Sequence, residues 1–362
     1  MTGPAGPPSG AARIAFDVTP AITGRTGIAR YVLELSDALT AMPGAPALRR
    51  FAIGRGVLPA PPETKHIGVP LRVVDPAWRR LGRPRLETLV GPFDTVHASG
   101  PLLPRSSAPI VAVVYDVAPL EHPELHPARD ARQLRRYVDQ LERAAAVIVI
   151  SHATADRLAA LGCDASRIHV VHIGASRLPA PVASPLAGTP YVLAVGAPVP
   201  RKAFDVLLHA VAELPGISVA IVGPPGVEDD RLASLAASLG IGARYHRAGP
   251  VSDAALAGWY ASASVVAAPS VEEGFGLTLV EALVAGTPVV ATDLAVFREV
   301  IGGHGRLVPV GDAGALAAAI ARALDGGDAV AAAVDAGRRH ALQYTWDACA
   351  QATLAVHAAV AR

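Results

Sequence analysis

Short apolar runs alternate with segments of helical periodicity along the chain. The first run, Arg13–Val18, is followed by a glycine-bearing loop, Thr23–Gly27, and then by a predicted helix from about Ile28 to Ala41. Apolar runs of this length, each followed by an amphipathic helix, are typical of parallel strands that are covered on both faces. The pattern therefore predicts an α/β fold built from doubly wound sheets.

The same alternation continues through the first half of the chain and is then interrupted. A long helix from Pro127 to Ala145 carries many arginines, and near Leu178 a Pro/Gly/Ser-rich stretch, LPAPVASPLAGTP, predicts a linker. The further strands predicted in this half are Thr95–Ala98, Ile110–Tyr115, Val147–Ile150 and His169–His172.

A second series of strands and helices follows the predicted linker. Its strands are predicted at Tyr191–Gly196, Ser218–Gly223, Ala243–Ala248, Ser264–Ala268, Pro288–Thr292 and Gly305–Val308, with helices such as Asp205–Glu213 and Gly314–Leu324. We divide the chain into a tail (1–12), a first domain (13–180, completed by a closing helix at 345–362), a linker (181–190) and a second domain (191–344). Ligands of such sheets bind beyond the carboxyl ends of the strands, so we expect the active site in a cleft between the domains.

Composition argues against several classes of protein: nucleic-acid binders, disulfide-rich or zinc-binding domains, and secreted or membrane-spanning proteins. Of the 362 residues 51% are apolar, and 32 basic residues oppose 31 acidic ones, so a general electrostatic grip on nucleic acid is not expected. Two cysteines, Cys163 and Cys349, do not make a disulfide framework or a zinc site. The first residues lack the layout of a signal peptide, and no apolar run approaches the roughly 18 residues of a membrane span. We expect a cytoplasmic protein.

The stretch from Pro269 to Thr292 carries the clearest chemistry. Seven residues separate Glu273 from Glu281, and the glycines of Gly274–Gly276 allow close approach of a ligand to a helix start that offers free amides to phosphate. Glu281 is expected about two turns into the helix, and a spacing of eight returns to within roughly 80° of the same direction. The two carboxylates suit sugar hydroxyls and a ribose diol. The alternative is a surface acid at Glu281 and a capping residue at Glu273.

Two adjacent cations follow the first strand of the second domain. Arg201 and Lys202 come shortly after Gly196, at the carboxyl end of the predicted strand. A pair of cations in this position suits a diphosphate, which gains negative charge when it leaves. The alternative is a solvated basic turn ahead of a helix.

The sequence from Pro269 to Thr292 resembles the signature of the retaining GT-B glycosyltransferases of family 4, also called group 1. The likeness extends loosely from about Arg13 to Ala361 and implies a GT-B fold of two facing Rossmann-like domains. It implies that Glu273 contacts the donor sugar, that Glu281 contacts the nucleotide ribose, and that Arg201 and Lys202 neutralise the leaving diphosphate. It also implies donor contacts near Phe275, Gly276, Leu277 and Thr278, the last of which stands where many members have proline.

The first domain matches the family more loosely. Gly24–Tyr31 (GRTGIARY) resembles the loop after the first strand, in which Gly27 approaches the donor phosphate or the acceptor and Arg30 either reaches the cleft or is solvated. Asp17, at the end of the first strand, is a further candidate at the edge of the cleft.

Tyr115 and Asp116 stand where the family usually has His-Asp. A phenol can hydrogen-bond a sugar hydroxyl, but it does not titrate near neutral pH as histidine does. Tyr115 is therefore either a contact for the sugar or acceptor or an ordinary aromatic side chain at the end of a strand.

The resemblance implies a retaining hexosyltransferase with a nucleotide-diphosphate sugar as substrate, GDP-mannose being the favoured donor. The acceptor is expected to be a glycan, a lipid-linked molecule or a small natural product. No cofactor and no metal are expected, because the chain has no Asp-x-Asp motif and its acidic run Glu228–Asp230 sits in a Pro/Gly loop and lacks that spacing. The alternatives are a sugar-nucleotide epimerase, a phosphorylase, or a GT-B scaffold that binds a partner without catalysis.

Two arginine-rich segments bear on where the enzyme acts. Residues Trp78–Arg85 contain four arginines and a tryptophan, and the predicted helix Pro127–Ala145 carries five more arginines. These clusters would permit peripheral attachment to an anionic membrane. The alternative is a solvated helix face whose arginines pair with neighbouring carboxylates such as Asp139.

Overall fold

The structure is a computed structural model that describes residues 12–24, 26–100, 102–175 and 179–361. The chain forms two compact units. The first comprises the described residues up to Glu121, Ala128–Gly174 and those from Thr345 onward, and the second comprises His122–Pro127 and Ala175–Tyr344. The predicted tail 1–12 lies, except for Ala12, outside the described residues.

The first unit is built on a parallel sheet. Among its described residues seven strands pair in the order β3-β2-β1-β4-β5-β6-β7. The strands are β1 (Arg13–Asp17), β2 (Ala47–Ile53), β3 (Lys65–Ile67), β4 (Thr95–Ala98), β5 (Ile110–Val114), β6 (Ala146–Val149) and β7 (Ile168–Val170). The predicted strands of this half agree with these bounds to within two residues, whereas β2 and β3 have no counterpart in the sequence prediction. Only the second half of β2 is buried, so its apolar run is short.

Helices cover this sheet. The α-helices are Thr19–Thr23, Gly27–Ala41, Leu71–Pro76, Leu86–Val90, Ala118–Glu121, Ala128–Val138, His152–Ala160 and Trp346–Val360, with a π-helix at Ala77–Leu81 and 3₁₀ turns at Leu141–Arg143 and Ala165–Arg167. In the described part of the chain, no helix is long and apolar enough to cross a membrane.

The predicted helix Pro127–Ala145 is wrong in its second half. The α-helix ends at Val138, and Leu141–Arg143 is a separate 3₁₀ turn. The turn lets Leu141 enter the core and brings the Arg143 guanidinium to 2.9 Å from the Leu103 carbonyl oxygen. In a continuous helix, Leu141 and Arg143 would point in directions set by the helix rather than towards these partners. We infer that tertiary packing ends the helix early.

The second unit has the same plan. Among its described residues six parallel strands pair in the order β10-β9-β8-β11-β12-β13. They are β8 (Tyr191–Val195), β9 (Ser218–Val222), β10 (Tyr245–Ala248), β11 (Val265–Ala268), β12 (Val289–Thr292) and β13 (Arg306–Val308). The helical segments are Pro123–Leu125, Pro200–Lys202 and Gly242–Arg244, which are 3₁₀ turns, and the α-helices Phe204–Ala212, Asp229–Ser238, Asp253–Ser262, Leu277–Ala285, Ala295–Ile301, Ala313–Leu324 and Asp328–Ala341.

Both sheets are doubly wound. The strand order reverses beside β1 in the first sheet and beside β8 in the second. The crevices where ligands of such sheets bind therefore lie between the carboxyl ends of β1 and β4 and of β8 and β11. The α/β class and the two-domain plan predicted from the sequence are confirmed.

The stretch predicted as a linker belongs to the second unit and packs within it. The Val182 amide donates to the Ala254 carbonyl oxygen at 2.9 Å, and the Ser184 hydroxyl lies 2.8 Å from that of Ser262. A Cβ on Gly258 would lie 1.7 Å from the Val182 carbonyl oxygen. Glycine is thus required in the helix Asp253–Ser262, because the chain passes too close for any side chain.

A buried histidine pair joins the closing helix Trp346–Val360 to the first sheet. His357 Nδ1 lies 2.7 Å from the Thr95 hydroxyl, and its Nε2 lies 3.1 Å from His97 Nδ1. The His97 ring stacks on Phe16 with centroids 4.7 Å apart. Burial lowers the pKa of His97 well below its ordinary value and that of His357 to about 3. Both imidazoles are therefore neutral in the folded protein.

Acidification should destabilise the protein through this pair. An unfolded histidine binds its proton near pH 6.5, whereas folded His357 does so only near pH 3, so stability is lost as the pH falls below about 6.5. From about pH 7 to about pH 5, His357 alone should cost about 2 kcal/mol. Urea unfolding of the wild type and of His357→Gln should show a smaller pH dependence in the variant.

The matched control is His66→Gln on β3, where the imidazole is exposed. This control should keep the pH dependence of the wild type. An unchanged pH dependence in His357→Gln would show that this histidine does not link folding to proton binding.

Candidate active site

The site lies where β8 and β11 run side by side in the second sheet. After β8 the chain passes through Gly196, whose φ of 140° places it in a region that favours glycine. A Cβ there would lie 3.2 Å from the Lys202 Cε atom, so the glycine also leaves room for that side chain. The 3₁₀ turn Pro200–Lys202 then delivers the two cations to the carboxyl edge of the sheet.

Glu273 lies between these two cations. Its Oε1 accepts a hydrogen bond from Lys202 Nζ and another, 3.0 Å long, from the Ser270 hydroxyl. Its Oε2 lies 3.1 Å from Arg201 Nη1. The structure thus brings three of the predicted residues, Glu273, Arg201 and Lys202, into one cluster. Lys202 and Glu273 are mostly buried, which is incompatible with the solvated turn considered for Lys202.

The charges of the cluster act on one another. Burial by itself would raise the pKa of Glu273, but Lys202 and Arg201, together with the hydrogen bonds, lower it to about 2. Burial lowers the pKa of Lys202, and the Glu273 charge partly offsets this. With Glu273 ionised and both cations protonated, the cluster keeps an excess of one positive charge to offer an anionic ligand.

Two hydrogen bonds to backbone carbonyl oxygens fix the distance between the two loops. The Val271 amide donates to the Arg201 carbonyl oxygen at 2.8 Å, and Arg201 Nη1 donates to the Glu272 carbonyl oxygen at 3.3 Å. The loops after β8 and β11 are therefore tied together by groups of the protein itself. Groups held in this way need little reorganisation when charge develops beside them.

The glycine turn after Glu273 is required by packing. Gly276 has a φ of 93°, and a Cβ there would lie 2.8 Å from the Phe297 ring. Phe275 is buried and packs edge-on against Tyr344, with centroids 5.6 Å apart. The half-buried Leu277 and Thr278 begin the helix Leu277–Ala285, whose first amides lack partners within the helix. The turn thus presents a helix start suited to phosphate.

Glu281 has a different environment from Glu273. It is buried in the helix Leu277–Ala285, and its Oε2 accepts a hydrogen bond of 2.8 Å from the Tyr260 hydroxyl. The alternative of a surface acid is therefore wrong. So is that of Glu273 as a cap, since Gly276 occupies the cap position without a side-chain hydrogen bond.

The helical spacing argument fails as well. Glu273 precedes the helix, and Glu281, its fifth residue, lies just over one turn in rather than two. The relative direction of the two carboxylates is therefore not set by helix geometry. Two partners in the site, Ser270 and Tyr260, were not predicted as site residues, and nothing in their local sequence indicated these contacts.

The first unit has a carboxylate at its own topological switch point, the place beside β1 where its strand order reverses. Asp17 ends β1, is buried, and accepts hydrogen bonds from the amides of Thr19, at 2.8 Å, and Gly100, at 3.0 Å. Burial raises its pKa to about 6 although these hydrogen bonds lower it. A Cβ on Gly100 would lie 2.4 Å from Asp17 Oδ2, so this close contact depends on the glycine.

Tyr115 lies near Asp17 in the same unit. Its hydroxyl donates to the Ser99 carbonyl oxygen at 3.2 Å, and its ring packs edge-on against Tyr31. Burial raises the pKa of Tyr115 well above its ordinary value, so the phenol stays protonated. Asp116 Oδ1 accepts a hydrogen bond of 3.2 Å from the Ala118 amide.

The two other candidates of the first unit lie on the helix Gly27–Ala41. Gly27 is its first residue, after the capping Thr26 hydroxyl, and a Cβ at Gly27 would meet nothing within 4 Å. Arg30 is half-buried one turn further on.

Two residues of the acidic run Glu228–Asp230 form ion pairs with arginines of the second unit. Asp229 Oδ1 lies 2.6 Å from Arg247 Nε, and Glu228 pairs with Arg231. These contacts give the run a structural role at the start of the helix Asp229–Ser238.

Comparison with known proteins identifies the family of this chain. Residues 189–326 match the family model described as glycosyl transferases group 1, and residues 25–176 match that of glycosyltransferase family 4. The chain is 34% identical over 295 residues to the D-inositol 3-phosphate glycosyltransferase of Mycolicibacterium smegmatis, covering 73% of this chain and 67% of that protein. The chain belongs to the group 1 glycosyltransferases. It is accordingly a glycosyltransferase with the GT-B fold.

Solved structures of this fold extend the similarity to nearly the whole chain. The sucrose-phosphate synthase of Thermosynechococcus elongatus has a TM-score of 0.78 at 22% identity, covering 96% of this chain and 98% of that one. Anabaena HepE, solved in complex with UDP and glucose, has a TM-score of 0.76 at 19% identity, covering 96% of this chain and 100% of that one. At these identities the likeness concerns the fold.

Substitution of Lys202 tests the candidate site in this glycosyltransferase. The sequence contains only one other lysine, Lys65, and the same substitution there serves as the control. Lys202→Ala should weaken the binding of a nucleoside diphosphate by about tenfold or more, since a hydrogen bond to a charged group contributes about 1.5–3 kcal/mol. Isothermal titration with UDP and GDP measures the effect.

The control is Lys65→Ala on the exposed strand β3 of the first unit, which should bind either nucleotide as the wild type does. Equal affinities for Lys202→Ala and the wild type would remove Lys202 from the nucleotide site.

Proposed function

We propose that this glycosyltransferase moves a sugar from a nucleoside diphosphate to an acceptor hydroxyl with retention of the anomeric configuration. The observation that carries the proposal is the cluster of Arg201, Lys202 and Glu273 at the switch point of the second sheet. Its excess positive charge, held between two loops tied by hydrogen bonds to backbone carbonyl oxygens, matches a diphosphate.

The cations act on the leaving group. When the bond between the anomeric carbon and the phosphate oxygen breaks, the diphosphate gains negative charge close to Arg201 and Lys202. Cations that are already oriented stabilise this charge more than that of the intact donor, and this difference accelerates the reaction. The helix start at Leu277 supplies amides for the same phosphates, and Thr278 belongs to the same turn.

Glu273 positions these groups and the donor sugar, and it is poorly suited to attack the sugar. Its carboxylate, with a pKa of about 2, is shared between two cations and a serine hydroxyl. Such a carboxylate accepts hydroxyl hydrogen bonds but is a weak nucleophile, because its charge is already compensated. In our proposal the acceptor oxygen bonds to the anomeric carbon as the phosphate departs, and the acceptor proton passes to a phosphate oxygen.

The remaining donor contacts follow the family pattern. We assign Glu281 to the ribose diol, the turn Phe275–Leu277 and Gly196 to the diphosphate, and Gly27 of the first unit to the donor phosphate or the acceptor. Tyr260 would orient Glu281 through its 2.8 Å hydrogen bond. Asp17, Arg30, Tyr115 and Asp116 are assigned to the sugar or the acceptor.

Donor use decides between this proposal and its rivals. The wild type should transfer sugar from a panel of nucleotide sugars, with GDP-mannose tested first and UDP-glucose beside it, and NMR of the product should show the anomeric configuration of the donor. Glu273→Gln should lower transfer by at least about a hundredfold, a loss typical of a lost charged contact in a transition state.

The control for Glu273→Gln is Glu213→Gln, the same change at an exposed position just after the helix Phe204–Ala212. An inverted product would exclude retention. Interconversion of nucleotide sugars without transfer would indicate an epimerase, phosphate-dependent cleavage a phosphorylase, and inactivity towards the whole panel a binding scaffold.

The proposal includes no divalent metal and no cofactor besides the nucleotide-sugar substrate. The cation pair supplies the charge that a metal supplies in enzymes with an Asp-x-Asp motif. Transfer should therefore persist in EDTA, and loss of transfer that magnesium or manganese restores would contradict this part.

A second proposal is contact with an anionic membrane surface by the segment Arg80–Arg85 of the first unit. Trp78 is buried and donates its Nε1–H to the Pro84 carbonyl oxygen at 2.8 Å, so it anchors the segment to the core. Leu81 is 75% exposed, and the arginines at 80, 83 and 85 around it are exposed too. An exposed aliphatic side chain among cations suits a lipid surface.

Vesicle sedimentation tests this contact. The wild type should pellet with anionic vesicles more than with neutral ones, and the difference should fade as salt screens the charges. The triple variant Arg80→Gln/Leu81→Ser/Arg83→Gln should lose most of it, since each cation contributes about 1 kcal/mol.

The matched control is Arg338→Gln/Arg339→Gln/Leu342→Ser, which changes two exposed arginines and an exposed leucine of the second unit. Equal pelleting of the wild type with both kinds of vesicle would contradict the membrane proposal and leave transfer unaffected.

A further inference from the structure

The first unit contains a cavity of about 380 Å³ at the topological switch point of its sheet. Residues that follow three neighbouring strands line it: Thr19 comes after β1, Gly100 after β4 and Tyr115 after β5. Doubly wound sheets bind their ligands at this position, and the volume is within the range of small-molecule sites. The position and the volume together indicate a ligand site within the first unit.

Most of the surface of this cavity is apolar. The helix Gly27–Ala41 contributes Ile28, which is 38% exposed, and the helix Ala128–Val138 contributes the half-buried Leu134. Further apolar lining residues are Pro20, Leu71, Val113, Val114 and Pro119. Apolar surface in a concave site is stabilised when a ligand removes it from water, so this wall favours an apolar ligand.

The hydroxyls of the threonines and tyrosines in the lining already have partners within the protein. Those of Thr19 and Thr26 accept hydrogen bonds of 3.0 and 3.1 Å from backbone amides, and that of Thr23 donates one of 3.0 Å to a backbone carbonyl oxygen. The Tyr115 and Tyr137 hydroxyls donate to backbone carbonyl oxygens at 3.2 Å. Each hydroxyl therefore keeps only part of its hydrogen-bonding capacity for a ligand.

A ligand rich in hydroxyls is poorly matched to this lining. The remaining hydroxyl side chain, Ser99, is 2% exposed, and its Oγ is not accessible from the cavity. Hydroxyls that a ligand buries without partners weaken its binding, because they lose hydrogen bonds to water. Phosphate is poorly matched too, since the described lining residues include no cation and the charged ones, Asp116 and Asp130, are acidic.

We propose that this cavity binds the acceptor as an apolar ring system that carries a hydroxyl. The aliphatic wall contacts the rings, and the exposed amide of Gln133 serves a single polar substituent. The inference rests on the proposed function, because it names the acceptor class of the same enzyme. It separates this chain from its relative named as a D-inositol 3-phosphate glycosyltransferase, since an inositol phosphate combines the two features that the cavity disfavours.

Three probes test this preference. Isothermal titration of the full chain with 2-naphthol, with myo-inositol and with an inositol monophosphate compares an apolar bicyclic alcohol with a neutral polyol and an anionic one. Each titration is run with and without a saturating nucleoside diphosphate. The naphthol should bind at least about tenfold more tightly than either cyclitol, which is within the range that a single mismatched group makes in a hydrophobic pocket.

Variants assign the binding to the cavity. Ile28→Ala and Leu134→Ala remove aliphatic surface from the wall, and each should weaken naphthol binding by about tenfold. Leu33→Ala is the matched control, because Leu33 lies on the same helix as Ile28 and is 39% exposed but does not line the cavity. This control should bind the naphthol as the wild type does. Thermal midpoints establish that each variant is folded.

Each outcome bears on one proposal. Binding of either cyclitol as tightly as the naphthol, or naphthol binding that survives both Ile28→Ala and Leu134→Ala, overturns the cavity assignment. So does the absence of binding of all three probes by a chain that still binds the nucleotide, and this outcome leaves the proposed transfer intact. A chain that binds the naphthol in the cavity but neither binds nucleotides nor transfers sugar contradicts the proposed function instead.

Discussion

The candidate site depends on one carboxylate held between two cations. Glu273 keeps Arg201 and Lys202 apart from each other and close to the sheet edge, where their mutual repulsion would otherwise turn them towards solvent. Glu273, in turn, is kept ionised in a buried position by their charges. Neither sign of charge would be stable there alone, because burying an unpaired ion costs more than the surrounding packing supplies. The cluster is therefore a unit whose members hold one another in place.

The architecture that assembles this cluster is a parallel sheet in which the two loops belong to adjacent strands. Since β8 and β11 pair directly, residues that follow them meet although 71 positions separate Lys202 from Glu273. Glycines at 196 and 276 have φ values that favour glycine, and a Cβ at Gly276 would collide with the Phe297 ring while one at Gly196 would crowd the Lys202 side chain. The first unit repeats the plan with different chemistry at its switch point, where Asp17 is buried on backbone amides and a largely apolar cavity lies nearby.

The sequence by itself determined the local features. Strand–helix alternation fixed the α/β class and most strand positions, because buried parallel strands and the helices that cover them have distinct periods. The Glu273–Gly276 turn could also be predicted from local sequence, because the left-handed backbone ahead of the helix needs glycine. The strand β2 and the edge strand β3 were missed because both are only partly buried and neither carries a long apolar run.

Only the tertiary structure decided which side chains meet. The end of the helix at Val138, the pairing of Glu273 with Lys202, and the hydrogen bond from Tyr260 to Glu281 all depend on contacts between distant segments. Local sequence records how a segment folds and which face it buries, but it does not record the neighbour against which that face packs. Strand order sets that neighbour, and strand order is a property of the whole sheet.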